Sequence, residues 1–142
     1  MSDIFEIIKQ NMDLEDIDTV NYSPQTLAYI GDAVYEVVIR TMIVDEANRS
    51  ANDLHKMSSE YAKASTQAEL AESLMDVFDE DELAVFKRGR NTKINSKAKN
   101  ASFNDYKKAT GFEAVIGWLY LNNKTTRMLE LIKNGIHNIN NK

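Results

Sequence analysis

Apolar residues recur at intervals of three and four along most of this chain, which is the spacing of amphipathic α-helices. Six segments carry the pattern and are predicted to be helices: residues 2–10, 24–46, 53–75, 79–87, 102–121 and 125–134. Apolar residues cover much of the circumference of the second of these, which is therefore predicted to be the central helix. The pattern predicts an all-α fold, and a chain of 142 residues is long enough for one helical domain over residues 1–142.

Polar residues and glycines mark where the predicted helices begin and end. Ser23 precedes the only proline of the chain, a pair typical of a helix start because serine caps the first turn and proline has no N–H group to satisfy. Asn52 or Asp53 is the predicted cap of the third helix. Gly89 is predicted to end the fourth helix, and Gly135 is predicted to cap the end of the last helix, with a frayed tail after it.

Two carboxylates interrupt the apolar pattern of two helices. Asp32 directly follows Gly31 in the central helix, and Glu113 lies one turn from Gly117 in the fifth helix. A carboxylate is costly to bury unless a cation, a metal ion or hydrogen bonds compensate it. The pattern predicts that both acids are buried and that the small residues beside them let another group approach.

The role of the two acids has more than one interpretation. If they meet, two carboxylates can hold a hard divalent cation such as Mg²⁺, which prefers oxygen ligands. Alternatively, each acid pairs with an arginine or accepts a hydrogen bond from a buried hydroxyl group. Glu36 lies one turn after Asp32, and it is either a further group at such a cation site or the ion-pair partner of Arg40.

The charges of the chain are distributed unevenly. Its net charge is −5, yet the segment 83–104 contains six basic residues and no acidic residue. Since six of the 17 bases lie there, the rest of the chain has 11 bases against 22 acids, a net charge of −11. This asymmetry favours binding of nucleic acid, and a solvated basic loop over residues 90–101 is the alternative. The predicted phosphate contacts are Lys87, Arg88, Arg90 and Lys93, with Lys97 and Lys99 as further candidates.

Composition argues against several other classes of protein. The chain has no cysteine, which rules out disulfides and thiolate metal sites and suits a reducing compartment. Its first residues lack the basic and apolar regions of a secretory signal. The longest apolar run, residues 114–121, is too short to span a bilayer, which takes about 20 residues. We therefore expect a cytoplasmic protein with no membrane partner.

Two runs of residues resemble motifs of the ribonuclease III family. Residues 27–34, Leu-Ala-Tyr-Ile-Gly-Asp-Ala-Val, are similar to its aromatic-aliphatic-Gly-Asp signature, and residues 112–117, Phe-Glu-Ala-Val-Ile-Gly, are similar to its second motif. Two further runs, Asn-Asp-Leu-His-Lys at 52–56 and Lys-Arg-Gly-Arg-Asn at 87–91, resemble the Mini-ribonuclease III branch. That branch lacks a double-stranded-RNA-binding domain, and the short stretch after the second motif leads us to expect none here.

The resemblance implies a homodimeric, all-helical endonuclease that cuts double-stranded RNA. It implies Mg²⁺-dependent hydrolysis, with Mn²⁺ as a substitute, that leaves 5′-phosphate and 3′-hydroxyl ends. On the matching positions, Asp32 and Glu113 are the catalytic and metal-binding residues. Glu36 is a candidate supporting group behind them because of its spacing from Asp32, not because of the resemblance. It further implies maturation of the ends of precursor 23S ribosomal RNA, with a large-subunit ribosomal protein as a candidate partner.

The chain departs from full-length ribonuclease III enzymes at three positions. Those enzymes carry glutamates where this chain has Gln25 and Ala28, and an aspartate where it has Thr110. Such losses are typical of the Mini branch, and they leave one or two metal ions as open possibilities. They also motivate an alternative function, a catalytically inactive RNA-binding or ribosome-assembly protein on the same fold. A helical protein-interaction module is a third hypothesis, and it leaves the basic segment unexplained.

Overall fold

The computed structural model describes residues 4–92 and 102–141 of the chain. Its helices are α1 Ile4–Asn11, α2 Pro24–Glu46, α3 Ala51–Ala62, α4 Ala64–Ser73, α5 Glu80–Arg90, α6 Ser102–Leu121 and α7 Thr125–Asn140. A 3₁₀ turn at Thr19–Asn21 precedes α2, and the described residues contain no strand. The predicted all-α fold is confirmed. None of the helices in the described ranges is long and apolar enough to cross a membrane.

The predicted bounds are correct for α2 and α6 and wrong for the third helix. Ser23 caps α2 as predicted, and α6 begins at the predicted residue. The cap of α3 is Ser50, whose Oγ accepts a hydrogen bond from the N–H of Asp53 at 3.2 Å, so neither Asn52 nor Asp53 has that role. Lys63 has extended backbone, with ψ 151°, and it divides the predicted single helix into α3 and α4.

Two glycines that were predicted to end helices lie inside them instead. A Cβ atom on Gly89 of α5 would lie 2.8 Å from the Cα of Gly111 in α6. A Cβ atom on Gly135 of α7 would lie 2.9 Å from the side chain of Leu70 in α4. Both glycines therefore permit close packing between helices, and α7 continues to Asn140 rather than fraying after Gly135.

The centre of the fold is the contact between α2 and α6. Tyr35 of α2 and Phe112 of α6 are fully buried, and their rings meet edge to face with centroids 5.4 Å apart. The helices α4 and α5 pack against α6, and α3 packs against α2. On the opposite side, Tyr29, Val37 and Val44 are 82%, 63% and 59% exposed, and we call these three residues the α2 outer face. The predicted central position of α2 is correct, but only one side of the helix is buried.

A buried ion pair joins the start of α5 to α7. Glu82 is 1% exposed and accepts hydrogen bonds from Arg127 Nε at 2.8 Å and Nη2 at 2.9 Å. The same Nη2 atom donates to the carbonyl oxygen of Val77 at 2.9 Å. Glu82 also accepts a hydrogen bond from the backbone N–H of Asp79, which completes a capping box at the start of α5. The guanidinium group thus compensates the buried carboxylate from the neighbouring helix.

Candidate active site

The two central helices touch backbone to backbone where Gly31 of α2 meets Gly117 of α6. A Cβ atom on Gly31 would lie 1.8 Å from the carbonyl oxygen of Glu113, and one on Gly117 would lie 1.9 Å from that of Leu27. A larger residue at either position would push the helices apart, because protein interiors are close-packed. The group that approaches Gly31 is therefore the backbone of α6 itself.

This crossing brings the two predicted acids together. Asp32 directly follows Gly31, and its side chain lines the same cleft as the carboxyl group of Glu113, whose pKa it raises. Glu113 is half-buried, whereas Asp32 is exposed. The prediction that both acids are buried is wrong for Asp32, because Gly31 occupies the contact point and the next residue lies about 100° further round the helix.

Burial raises the pKa of Glu113 to about 9. The hydrogen bond with Asp32 and the negative charges of Asp32 and Glu36 act in the same direction, and a hydrogen bond from the side chain of Gln67 opposes them. At neutral pH Glu113 therefore keeps its proton in the metal-free protein. A carboxyl group with so strongly raised a pKa beside a second acid is typical of a functional site.

The carboxyl pair opens onto a cleft of about 480 Å³, lined by Gln25, Ala28, Tyr29, Ile30, Asp32, Ala33, Tyr106, Thr110 and Glu113. Gln25, Ala28 and Thr110 are the positions at which full-length ribonuclease III enzymes carry further acids. The hydroxyl of Thr110 donates to the carbonyl oxygen of Tyr106 at 2.9 Å. The fold thus brings these three positions into one cleft with Asp32 and Glu113. Of the five positions, only Asp32 and Glu113 carry a carboxylate in this chain.

Glu36 lies behind this pair rather than in the cleft. Its Oε1 accepts a hydrogen bond from Arg40 Nη2 at 3.3 Å, which is the ion pair that one interpretation predicted. Its charge still contributes to the raised pKa of Glu113. Glu36 is therefore close enough to act on Glu113 while its own carboxylate is paired with Arg40.

The donors in the cleft fit one hydrated magnesium ion. Mg²⁺ is usually bound through one or two carboxylates, and water and substrate phosphate complete its coordination. Asp32 and Glu113 supply two adjacent carboxylates, whose mutual repulsion a cation would relieve. Within residues 4–92 and 102–141, no three His, Asp or Glu side chains surround a common metal position. A cage of three protein carboxylates that includes Glu36 is therefore not formed.

The predicted phosphate contacts in the described ranges lie in the last turn of α5. Lys87 and Arg88 are exposed, and Arg90 is half-buried with its guanidinium group 5.7 Å from the centroid of the Phe86 ring. Arg88 Nη2 donates to the carbonyl oxygen of Tyr22 at 3.3 Å. Cations in the last turn also complement the helix dipole, which is their structural role whether or not they bind a ligand.

The contact between α5 and α6 places this basic turn beside the cleft. Gly89 lies between the basic residues and packs on Gly111, which directly follows Thr110 on the cleft wall. The turn therefore packs on α6 next to Thr110, which is a residue of the cleft wall. Lys93, like the further candidates Lys97 and Lys99, lies outside the described residues.

Gln67 of α4 is a residue of this site that the sequence did not indicate. It is 2% exposed, its side-chain Nε2 donates to the carbonyl oxygen of Ala62 at 3.0 Å, and it is one of the groups that lower the pKa of Glu113. At helical spacing it shares a face with Ala64, Ala68 and Ala71. A glutamine on a helix face that otherwise carries alanines is the feature of the sequence that could have indicated a role for Gln67 at this site.

Comparison with protein families agrees with this geometry. Residues 25–124 match the family model of the ribonuclease III domain, a span that includes the glycine crossing, both acids and the basic turn. The chain therefore belongs to the ribonuclease III family, a family of endoribonucleases.

Within that family the chain is similar to Mini-ribonuclease 3 proteins. It is 49% identical over 117 residues to Mini-ribonuclease 3 of Clostridium tetani, an alignment that covers 82% of this chain and 78% of the relative. It is 42% identical over 120 residues to that of Staphylococcus aureus, covering 83% and 90%. A crystal structure of a Fusobacterium nucleatum protein superimposes with a TM-score of 0.75 at 28% identity, covering 85% of this chain and 97% of that one. The resemblance to the Mini branch is confirmed.

Proposed function

We propose that this protein is a Mg²⁺-dependent endoribonuclease that hydrolyses double-stranded RNA and leaves 5′-phosphate and 3′-hydroxyl ends. The observation that carries the proposal is the carboxyl pair of Asp32 and Glu113, which the glycine crossing holds at the edge of an open cleft. Membership of the ribonuclease III family supports the reaction type. In this proposal residues 1–142 act as one catalytic domain.

Asp32 and Glu113 hold the magnesium ion in this proposal. Because its raised pKa keeps Glu113 protonated at neutral pH, Glu113 has to release that proton before it can serve as a ligand beside Asp32. Asp32 is the exposed member and faces the substrate, and half-buried Glu113 fixes the inner side of the site. When bound, Mg²⁺ activates a water molecule and stabilises charge on the scissile phosphate.

The basic turn of α5 binds the RNA backbone in this proposal. Lys87, Arg88 and Arg90 contact phosphates next to the cleft, and Lys93 extends the contact along the chain. Double-stranded RNA is recognised mainly through its shape, phosphates and 2′-hydroxyl groups. We therefore expect affinity that falls steeply with salt and depends little on base sequence.

The α2 outer face is the proposed dimer interface. Tyr29, Val37 and Val44 are large apolar residues that are more than half exposed along one helix, and Tyr29 also lines the cleft, so an interface here would border the cleft. A separate apolar groove of about 520 Å³ lies between α2 and α7, and Val38, Met42 and Leu129 line it. Exposed apolar patches of this kind are typical of protein interfaces. A homodimer would present two clefts to opposite strands of a duplex and produce staggered cuts.

The proposed substrate in the cell is precursor 23S ribosomal RNA, whose ends the enzyme would trim in the cytoplasm. This substrate is supported by the similarity to Mini-ribonuclease 3 proteins. A large-subunit ribosomal protein is the proposed accessory partner, because precursor ribosomal RNA carries such proteins during assembly.

A catalytically inactive RNA-binding or ribosome-assembly protein is the second candidate function. Ala28 and Thr110 occupy cleft positions that carry acids in full-length ribonuclease III enzymes, and they favour this alternative. The carboxyl pair itself favours catalysis. Strand scission that requires a divalent cation separates the two functions.

The test is incubation of the purified protein with long duplex RNA and with matched single-stranded RNA, with and without Mg²⁺. We expect cleavage of the duplex only, in the presence of Mg²⁺ only, and none by Asp32→Asn. The control Glu46→Gln removes a charge from the same helix, about 21 Å along its axis, and retains activity. Binding without cleavage across several divalent metals would instead establish the inactive RNA-binding protein.

A further inference from the structure

Residues 4–20, which we call the α1 segment, expose a large share of the apolar side chains on the surface. Of the 13 large hydrophobic residues that are exposed in the described ranges, seven lie in this segment. Four of them recur at the spacing of one helix face, and we call these four the α1 face: Ile4, Ile7, Ile8 and Met12. Met12 continues the helix by one position, because its N–H donates to Ile8 O at 2.9 Å. Exposed apolar patches of this size typically mark a site of interaction.

Contacts at both ends hold the α1 segment against the rest of the fold. Near its start, Phe5 is 7% exposed and its ring centroid lies 5.0 Å from that of Tyr120 in α6. Near its end, Asn122 Nδ2 donates to Thr19 Oγ1 at 3.1 Å. The side of α1 that the fold covers is therefore the side of Phe5, and the α1 face is left to solvent.

The α1 segment is also acidic. It contains five acids and one base, Lys9, which gives it a net charge of −4. Lys9 donates a hydrogen bond to Asp16 and is thereby paired. Asp13, Glu15 and Asp18 form no ion pair with another described residue. The segment thus combines an apolar helix face with negative charge that the fold does not compensate.

From this combination we propose that the α1 segment is a docking surface for a basic protein segment that carries apolar side chains. The apolar side chains of the partner pack on the α1 face, and its lysines or arginines meet the acids, because complementary charge selects the partner. Docking here goes beyond the proposed activity, since no residue of the α1 face lines the catalytic cleft.

The negative charge disfavours three other occupants. RNA is a polyanion and binds where lysines and arginines neutralise its phosphates. Helices that lie on anionic membranes carry lysines and arginines on their polar face, whereas this segment has one base against five acids. A second copy bound through the same surface would bring two segments of charge −4 together, and like charges across an interface are unfavourable.

The test titrates the full-length protein with two synthetic helical peptides of equal length. One is built of leucine and lysine, and the other of leucine and glutamate. Calorimetry measures the affinity, and backbone NMR signals of the nitrogen-15-labelled wild type locate the bound peptide without any variant. The variant Ile4→Ser with Ile8→Ser removes two residues of the α1 face. Its matched control, Phe103→Ser with Leu129→Ser, changes two exposed apolar residues outside the segment.

We expect the lysine peptide to bind, the glutamate peptide not to bind, and the shifted NMR signals to lie in residues 4–20. Ile4→Ser with Ile8→Ser weakens the lysine peptide by about tenfold or more, because truncated central apolar contacts commonly dominate binding, and the control keeps the wild-type affinity. The α1 variant retains the wild-type rate of duplex cleavage, so the result is independent of the proposed function.

A second pair of variants tests the contribution of charge. Asp13→Asn with Glu15→Gln removes two of the uncompensated acids, and we expect the affinity for the lysine peptide to depend less on salt. Asp45→Asn with Glu46→Gln removes the same charge from the exposed end of α2 and keeps the wild-type salt dependence.

Four results would overturn the inference. They are no binding of the lysine peptide, NMR shifts outside residues 4–20, an equal loss of affinity in the α1 variant and its control, and tighter binding of the glutamate peptide. Two further results would identify another occupant and overturn it as well. Vesicles of phosphatidylcholine and phosphatidylglycerol that bind the wild type but not the α1 variant would identify a membrane. Sedimentation that shows an oligomer in the wild type and a monomer in the α1 variant would identify a second copy.

Discussion

Two glutamates of this protein lie between packed helices in opposite electrostatic surroundings. Glu82 is 1% exposed, and Arg127 binds it through two nitrogen atoms. Glu113 is half-buried and forms no salt bridge within the described ranges, and its charged neighbours are the acids Asp32 and Glu36. The pKa of Glu113 rises to about 9 as a result.

The difference separates a structural carboxylate from a candidate functional one. A buried acid with a guanidinium partner is fully compensated and joins two helices. A half-buried acid beside another acid is uncompensated, and it lies at an open cleft where a cation has access. The missing positive partner, rather than burial alone, is what points to metal chemistry at Asp32 and Glu113.

The largest expected effect is on catalysis. Glu113→Gln removes one proposed metal ligand and keeps the size of the side chain, so we expect duplex cleavage to fall by about 1,000-fold or more, which is about 4 kcal/mol of activation free energy. Rates of duplex cleavage at saturating Mg²⁺ measure this loss, with Glu46→Gln as the control. Activity within tenfold of wild type would remove Glu113 from the site.

The next largest expected effect is on the free energy of unfolding, through the ion pair of Glu82 with Arg127. Arg127→Met leaves Glu82 buried without its partner, and we expect a loss of about 3 kcal/mol in the free energy of unfolding. Urea denaturation measures it, and Arg49→Met, at an exposed loop position, is the control. The loss has to be the same with and without Mg²⁺, since a Mg²⁺-dependent loss would contradict the structural role of this pair.

The raised pKa of Glu113 predicts how stability depends on pH. An unfolded chain loses this proton near pH 4.5 and the folded protein loses it near pH 9, so the folded state binds more protons between these values. The metal-free protein therefore loses stability as pH rises from about 5 to 9. Glu113→Gln removes this contribution and is more stable than the wild type, by about 2 kcal/mol at pH 7.

Urea denaturation of the wild type and Glu113→Gln across this pH range measures the difference. Parallel stability curves for the two proteins would mean that Glu113 titrates with an ordinary pKa. Glu113 would then be ionised at neutral pH, and the contrast with Glu82 would disappear.

The smallest expected effect concerns RNA binding by the basic turn. Arg88→Ala combined with Arg90→Ala removes two proposed phosphate contacts, so we expect affinity for duplex RNA to fall about tenfold. We also expect the slope of log affinity against log salt concentration to become shallower by about two. Filter binding at several salt concentrations in the absence of Mg²⁺ measures both. An equal loss in a double variant Arg49→Ala and Lys56→Ala would show that the effect is one of net charge alone.

The two acids of the carboxyl pair could be predicted from the sequence, because each stands beside small residues in an apolar helix. A glycine next to an acid in an apolar helix indicated a close approach at Gly31, and the motif around Glu113 identified the partner. The exposure of Asp32 could not be predicted in the same way. It depends on which side of α2 the other helix covers, and that is a property of the packed structure.

Contacts between distant segments explain the features that the sequence did not indicate. Gly89 and Gly135 have the sequence appearance of helix ends, but each lies inside a helix against a residue of another helix. The break at Lys63 involves neither proline nor glycine, and hydrogen bonds from Tyr35 and Gln67 help to hold it. The pairing of Glu82 with Arg127 likewise joins residues that are far apart in the chain.

The most direct test of the account is the titration of the Glu113 carboxyl group by carbon-13 NMR, with and without Mg²⁺. We expect a pKa of about 9 in the metal-free protein and a pKa well below neutral at saturating Mg²⁺, because the cation replaces the proton on Glu113. An ordinary pKa in the metal-free protein, or a titration that Mg²⁺ leaves unchanged, would contradict a metal site formed by Asp32 and Glu113.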